Sequence, residues 1–162
     1  MIIGNGDVAS ALIDREGLLF FASGVSNSKE IRESEYQREK DLLLAQDKSE
    51  HLVYFGSLCI FYSNSRYALH KREMESLVKD NFNRYTIIRL GNISWGKNPH
   101  TIINYFRNRR KEGEPLRIQE GYRYVVDKDE FQYWIGMVPE FSCEMNVPGR
   151  RMTIKQIAEE YA

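Results

Sequence analysis

The sequence has few of the residues from which metal sites and disulfide frameworks are built. It contains two cysteines, Cys59 and Cys143, which stand far apart without CxxC spacing, and three scattered histidines. Structural zinc sites and disulfide scaffolds need clustered ligands or closely repeated cysteines. We therefore expect no metal site, and two reduced thiols in a cytoplasmic protein.

The sequence also lacks a charge imbalance and a long apolar run. Its 23 basic residues are balanced by 23 acidic ones, so the formal net charge is +0. Proteins that bind nucleic acid or membrane surfaces usually carry excess positive charge, and a membrane-spanning helix needs about 20 consecutive apolar residues. The N-terminus has no basic segment followed by an apolar stretch, which a secretion signal would have. We expect neither nucleic acid nor membrane as a partner.

The sequence does contain a regular alternation of apolar runs and amphipathic segments. The runs MIIG, LLFF, HLVYFGS and YTIIRLGNIS predict strands, and the segments between them predict helices. Such alternation is typical of an α/β layered fold with a mainly parallel sheet. Because there is no repeat or linker, we expect one domain over residues 1–162. The predicted helices lie at 7–17, 26–46, 64–81, 98–114 and 153–162.

A glycine-rich turn stands between the first predicted strand and the first predicted helix. IIGNGDVA contains the pattern G-x-G-x-x-A at Gly4, Gly6 and Ala9. In a dinucleotide-binding turn, the first glycine makes the tight bend, and the second lets the backbone approach a pyrophosphate. The small third residue then lets the helix pack on the strand. The alternative is a strand–helix turn that needs glycine for its shape alone.

The sequence leaves no room for the strands that usually follow such a turn. In a full dinucleotide-binding half, an acid about 20 residues past the glycines ends a further strand and holds the ribose hydroxyls. Here one short helix leads from Gly6 directly into LLFFASG. We therefore predict a reduced fold, in which the strands between the glycine turn and residue 18 are missing. Binding of NAD or NADP is then weak, supported by other residues, or absent.

A tyrosine and a lysine stand four residues apart in the predicted helix that follows LVYFGS. Tyr67 and Lys71 therefore share a helix face, and Ser57 ends the preceding strand. A nearby ammonium favours the phenolate, and lowering the pKa of a phenol by about three units needs about 4 kcal/mol. The phenolate would take a proton from a sugar hydroxyl that Ser57 orients, while hydride leaves the same carbon. The alternative is a solvated helix face without chemistry.

With these motifs in this order, the chain resembles the short-chain dehydrogenase/reductases. The resemblance is to their extended branch, which includes nucleotide-sugar epimerases and dehydratases such as UDP-galactose 4-epimerase. GNGDVA resembles the glycine turn, FFASG the strand that lines the cofactor, VYFGSLCIF the strand that carries the serine, and YALHKREMESLV the tyrosine–lysine helix. IIRLGNISWG and YRYVVDKDEF resemble the segments that approach the nicotinamide, the sugar and the diphosphate. The resemblance implies a Rossmann-like fold and an NAD(P)-dependent epimerase, dehydratase or reductase acting on a nucleotide sugar.

The resemblance implies a role for each matching residue. Ser57, Tyr67 and Lys71 would form the catalytic set, and the substrate would contact Ser57, Asn92 and Arg123, whose guanidinium suits a diphosphate. The substrate-binding portion would occupy about 95–162. The residues implied in cofactor binding are Gly4, Asn5, Gly6, Asp7, Val8, Ala22, Ser23, Gly24, Tyr67, Lys71, Leu90, Gly91 and Ile93.

Two hypotheses of different classes remain open from the sequence. The first is a compact NAD(P)-dependent enzyme, which the retained Ser57, Tyr67 and Lys71 favour. The second is a non-catalytic nucleotide-sugar or partner-binding module that has lost cofactor binding, which the missing strands favour. In the family, the helices corresponding to about 28–46 and 65–80 commonly join two subunits, so the resemblance also implies a possible homodimer.

Overall fold

The computed structural model describes residues 1–162, which form eight strands, six α-helices and one 3₁₀ turn at Leu58–Phe61. The strands are β1 (Ile2–Ile3), β2 (Leu18–Phe21), β3 (His51–Ser57), β4 (Arg84–Leu90), β5 (Asn92–Ile93), β6 (Tyr122–Val126), β7 (Cys143–Val147) and β8 (Arg150–Thr153). The helices are α1 (Asp7–Ser10), α2 (Glu33–Leu44), α3 (Arg66–Asn81), α4 (Ile102–Lys111), α5 (Lys128–Gly136) and α6 (Ile154–Tyr161). No helix is long and apolar enough to cross a membrane.

Five of the strands form one parallel sheet in the order β1-β2-β3-β4-β7. Strand β1 lies at the edge of this sheet, and no strand lies beyond it. The predicted α/β class, with a mainly parallel and reduced Rossmann-like sheet, is therefore confirmed. The remaining strands form a small sheet in the order β5-β6-β8, in which β6 and β8 run antiparallel.

Both faces of the parallel sheet are buried. Alternate residues along each strand point to opposite sides, so each face contributes its own side chains to a core cluster. On one face, Phe20, Val53 and Ile88 belong to a core cluster with Phe131 and Ile135 of α5. On the other face, a second cluster joins the sheet to α2 and α3 through Leu19, Phe21, Leu43, Tyr54, Met74, Val78 and Ile87. The near-continuous apolar runs that predicted the strands follow from this two-sided burial.

Three predicted helices are shorter in the structure than the sequence suggested. Helix α4 spans Ile102–Lys111 within the predicted 98–114, because Thr101 is its N-cap and accepts from the Asn104 N–H. Helix α1 ends at Ser10 and not near Gly17, and beyond it Asp14 contacts the amine of Met1. Helix α2 begins at Glu33 and not near residue 26, because the Glu30 carboxylate accepts hydrogen bonds from the backbone N–H groups of Ile31 and Arg32. Such local bonds compete with helix formation.

A glycine marks the point where the chain passes from the large sheet to the small one. The predicted strand 85–94 is divided at Gly91 into β4 and β5. A Cβ at Gly91 would lie 2.4 Å from the carbonyl oxygen of Pro148 and 3.0 Å from that of Tyr124. Only glycine allows the three backbone segments to approach this closely. Asn92 and Ile93 of β5, which follow Gly91, are thereby held beside the end of β4.

Candidate active site

A cleft of about 540 Å³ lies at the carboxyl ends of the parallel strands. Open α/β sheets bind their ligands at this edge, and the cleft has the usual size of a small-molecule site. Its walls come from the glycine turn, the end of β2, the end of β3, the start of α3 and the segment 98–101. Tyr67 and Lys71 of α3 line it together with Ser57.

A second cleft of about 410 Å³ adjoins the first on the side of the small sheet. Ser57, Tyr67, Leu90 and Gly91 line both clefts. The second cleft also contains Asn92 and Arg123, the residues that the sequence assigned to substrate, together with Tyr62 and Tyr124. The fold therefore brings Ser57 and Tyr67 to the boundary between the two clefts, with Lys71 in the wall of the first.

Ser57 is placed by the end of β3 and by the turn that follows it. Its Oγ accepts a hydrogen bond of 3.2 Å from the backbone N–H of Cys59, which caps the 3₁₀ turn. Tyr67 stands in the first turn of α3, which Ser65 caps by accepting from the Ala68 N–H. Local hydrogen bonds therefore fix both the end of β3 and the start of α3, the two elements that carry the hydroxyls of Ser57 and Tyr67.

Lys71 lies one helical turn after Tyr67, with its Nζ 5.6 Å from the centre of the Tyr67 ring. Its ammonium is buried and donates to Tyr54 Oη at 3.1 Å and to Glu39 Oε1 at 3.3 Å. Burial is the largest single influence and works to lower the pKa of Lys71, but Glu39, Tyr54 and Tyr67 together outweigh it and raise that pKa well above its usual value. An ammonium has three N–H donors, so one is left for a ligand in the cleft that Lys71 lines.

Tyr67 does not have a lowered pKa in this chain. Burial raises the pKa of its phenol, and the Lys71 ammonium opposes this only in part. The Glu39 carboxylate adds to the rise, because a negative charge disfavours the phenolate. The sequence argument counted the lysine as a free cation, whereas the structure shows it paired with a buried acid.

The glycine turn is built as the sequence predicted, although its helix is short. Gly4 has φ +121°, and a Cβ there would lie 2.2 Å from the carbonyl oxygen of Ala22. Gly6 has ordinary φ of −81°, and a Cβ there would meet nothing within 4 Å. Gly4 is therefore needed for the turn itself, whereas the space at Gly6 is open toward the cleft that Gly6 lines.

Asp7 connects the glycine turn to the loop that covers the cleft. Its carboxylate accepts from the backbone N–H groups of Lys97 at 3.0 Å and Asn98 at 2.8 Å. Its carbonyl accepts from the indole N–H of Trp95 at 2.8 Å. The segment that follows Gly96 is thereby held against the turn, and residues 98–101 form a wall of the cleft.

Most residues predicted to bind cofactor line the first cleft, but three do not. Gly4 and Asn5 lie in the turn behind it, and Ser23 directs its carbonyl and hydroxyl oxygens to Arg38. Sequence reasoning missed the wall made by residues 98–101, and it missed Glu39. The signal that could have found Glu39 is its spacing from Tyr36 and Leu43, which places all three residues on one face of α2. The predicted residues that line the cleft are Gly6, Asp7, Val8, Ala22, Gly24, Ser57, Tyr67, Lys71, Leu90, Gly91 and Ile93.

The residues of the cleft fit the nicotinamide side of a dinucleotide better than its adenosine side. Small residues at Gly6, Ala22 and Gly24 leave backbone accessible, and Lys71 retains a donor for a ribose hydroxyl. Because β1 is the edge strand, the sheet provides no further strand to hold an adenosine ribose. A nicotinamide cofactor would thus be held by the glycine turn, the end of β2 and the start of α3.

No protein-family model matches the sequence, and no curated protein matches it. Solved structures do match the fold. The Bordetella bronchiseptica enzyme WbmH in complex with NAD⁺ is 15% identical with a TM-score of 0.71, over 88% of this chain and 56% of the other. The dTDP-glucose 4,6-dehydratase of Bacillus anthracis in complex with NAD is 14% identical with a TM-score of 0.68, over 88% and 55%. The Thermus thermophilus UDP-glucose 4-epimerase complex with NAD is 16% identical with a TM-score of 0.65, over 88% and 60%.

These similarities concern the fold, and the chain spans little more than half the length of each of those three proteins. All three of those structures are complexes with NAD. The chain therefore has the Rossmann-like fold of nucleotide-sugar epimerases and dehydratases of the extended short-chain dehydrogenase/reductase type, as the sequence resemblance implied.

Proposed function

We propose that the protein is an NAD(P)-dependent enzyme that acts on a nucleotide sugar, as an epimerase, dehydratase or reductase. The observation that carries the proposal is the meeting of Ser57 and Tyr67 at the boundary of two adjoining clefts, with Lys71 in the wall of the first. One cleft begins at the glycine turn, and the other contains Arg123. The named NAD and UDP complexes of structures that share the fold support the same ligand classes.

Each residue of the set has a defined task in this proposal. Tyr67 Oη moves a proton to or from a hydroxyl of the sugar, and Ser57 Oγ holds that hydroxyl in line. Lys71 donates its remaining N–H to a ribose hydroxyl and supplies positive charge beside the phenol. Arg123 and Asn92 contact the diphosphate and the sugar in the second cleft. The bound nicotinamide would accept and return hydride at the sugar carbon.

The second candidate is a non-catalytic module that binds a nucleotide sugar or a protein partner. Two observations favour it: the sheet ends at β1, and burial raises the pKa of Tyr67. In this case the second cleft would still hold a nucleotide sugar, but the first would hold no dinucleotide. A homodimer through α2 and α3 is compatible with either candidate, and Leu69 on α3 is 50% exposed.

Titration with NADH and NADPH, followed by nicotinamide fluorescence, is the first test. We expect micromolar binding of at least one of them, weakened in Lys71→Met, with folding of the variant checked by circular dichroism. The second test incubates the protein with NAD⁺ or NADP⁺ and UDP- or dTDP-sugars, and follows products by NMR.

Tyr67→Phe is the matched variant for the second test, because it keeps the ring and removes only the hydroxyl. We expect turnover to fall by about 10²–10⁴-fold while cofactor binding is retained. Binding of a UDP-sugar without binding of either dinucleotide up to millimolar concentration would refute the enzyme and support the non-catalytic module.

A further inference from the structure

A buried carboxylate lies behind the Tyr67–Lys71 pair, on a helix to which the proposed function gives no role. Glu39 of α2 is fully buried. Its Oε1 accepts from Tyr54 Oη at 2.8 Å and from Lys71 Nζ at 3.3 Å. Its Oε2 accepts from the backbone N–H of Val25 at 2.9 Å and pairs with His70 Nε2 at 2.8 Å. Since a carboxylate oxygen only accepts, His70 donates from Nε2.

The four partners of Glu39 come from three different parts of the fold. Val25 belongs to the segment after β2, Tyr54 to β3, and His70 and Lys71 to α3. Burial of a carboxylate is costly unless it is paired and fully hydrogen-bonded, which is the case here. Burial works to raise the pKa of Glu39, but the Lys71 charge, His70 and the Val25 N–H together hold that pKa far below its usual range. Glu39 is therefore ionised at neutral pH.

The cleft wall is packed directly on this ion pair. A Cβ at Gly24 would lie 2.9 Å from Lys71 Nζ and 3.2 Å from Glu39 Oε1, so a side chain at this position would displace one of them. Gly24 and Val25 line the first cleft. The same carboxylate thus fixes the lysine and the wall against which a cofactor would lie.

We propose that Glu39 is a positioning residue for the Ser57–Tyr67–Lys71 set: it fixes Lys71 Nζ beside the cleft and keeps this buried amine in its charged form next to Tyr67. The catalytic meaning of this inference rests on the proposed function, whereas the charge coupling is a property of the chain itself. In the chain alone, the Glu39–Lys71 pair is nearly neutral and Tyr67 remains a phenol, ready to donate a proton.

The groups that act on the Tyr67 phenol define the sign of the effect. The Lys71 ammonium favours the phenolate, whereas Glu39, Cys59 and Tyr36 disfavour it when charged. Burial works to lower the pKa of Lys71, and the Glu39 carboxylate is the main group that opposes it, so Lys71 should be neutral in Glu39→Gln when Tyr67 titrates. Glu39→Gln should therefore raise the pKa of Tyr67, because the ammonium that favours the phenolate is lost.

The test is a pH titration of ¹³Cζ-tyrosine-labelled protein by NMR, with the Tyr67 signal assigned from its loss in Tyr67→Phe. We expect the Tyr67 midpoint to be higher in Glu39→Gln than in the unmodified chain. Glu39→Asp, which keeps the charge but withdraws it from Lys71, should give a smaller shift in the same direction. Circular dichroism at each pH restricts the comparison to folded protein.

Glu35→Gln is the matched control, because Glu35 lies on the same helix but forms only a surface pair with Arg38. It should leave the midpoint unchanged. An unchanged or lower Tyr67 midpoint in Glu39→Gln would overturn the proposal, and if that variant does not fold, an unchanged midpoint in Glu39→Asp would overturn it. Because neither cofactor nor substrate is present, failure of the proposed function would appear separately, as absent NADH and NADPH binding.

Discussion

The substitution Gly6→Ala separates a glycine needed for the fold from one needed for a ligand. In the free chain, a Cβ at Gly6 meets no atom within 4 Å, and φ is −81°, which alanine adopts without strain. The remaining cost is the weaker preference of alanine for the N-cap of α1, which is below about 1 kcal/mol. We therefore expect the midpoint of chemical unfolding to change little.

Cofactor binding should respond differently, because the proposed pyrophosphate approaches the backbone at Gly6. A methyl group forced into an occupied space costs about 1–3 kcal/mol, which corresponds to a Kd raised by about 5–150-fold. The assay is a fluorescence titration with NADH, run beside urea unfolding of the same preparations.

Gly136→Ala serves as the control, because a Cβ at Gly136 also meets nothing within 4 Å and the residue ends α5, outside both clefts. It should leave both the Kd and the unfolding midpoint nearly unchanged. An unaltered Kd in a folded Gly6→Ala variant would refute the reasoning that places a dinucleotide at this turn, even if the protein binds NADH elsewhere.

Three further predictions concern stability. Gly24→Ala should lower the free energy of unfolding by about 1–3 kcal/mol, measured in urea, because its Cβ would lie 2.9 Å from Lys71 Nζ; an unchanged stability would show that the ion pair has room to move. Asp7→Ala should lower the free energy of unfolding by about 1–2 kcal/mol, because two hydrogen bonds from backbone N–H groups are lost. Amide hydrogen exchange at Lys97 and Asn98 should accelerate in this variant. Unaltered exchange would contradict the proposed role of Asp7 in holding this segment. The pKa of Glu39 is depressed on folding, so its contribution to stability is present above the unfolded pKa of about 4.3 and is lost as pH falls toward the folded pKa. The free energy of unfolding, measured in urea between pH 3 and 7, should accordingly fall less steeply with acid in Glu39→Gln than in the unmodified chain. Equal slopes in the two proteins would count against the low pKa of Glu39.

The order of strands and the position of the Ser57–Tyr67–Lys71 set could be predicted from the sequence because each depends on local signals. An apolar run sets a strand, a glycine or serine ends it, and two residues four apart share a helix face. The parallel sheet then brings the strand end and the helix start together. The missing strands could also be predicted, since the distance from Gly6 to LLFFASG is too short to contain them.

The partners of Glu39 and Asp7 depend on long-range packing, which local sequence patterns do not encode. Glu39 stands among other acids in ESEYQREK, and only its position between Tyr36 and Leu43 on the buried face of α2 distinguishes it from Glu35. Asp7 meets the Lys97 and Asn98 N–H groups across about 90 residues of chain. Nothing near Asp7 in sequence indicates that its carboxylate accepts from another loop and not from its own helix.

These long-range contacts bear on how a shortened sheet could still hold a dinucleotide. With no strand beyond β1, a cofactor would gain little from its adenosine side, so its affinity would come from the nicotinamide side of the cleft. Binding there is favoured when the wall is already in place, because ordering loops on binding costs free energy. Asp7 fixes the segment after Gly96, and Glu39 fixes Val25 and Lys71. The two acids thus order two walls of the cleft before any ligand binds, which lowers the free-energy cost of binding there.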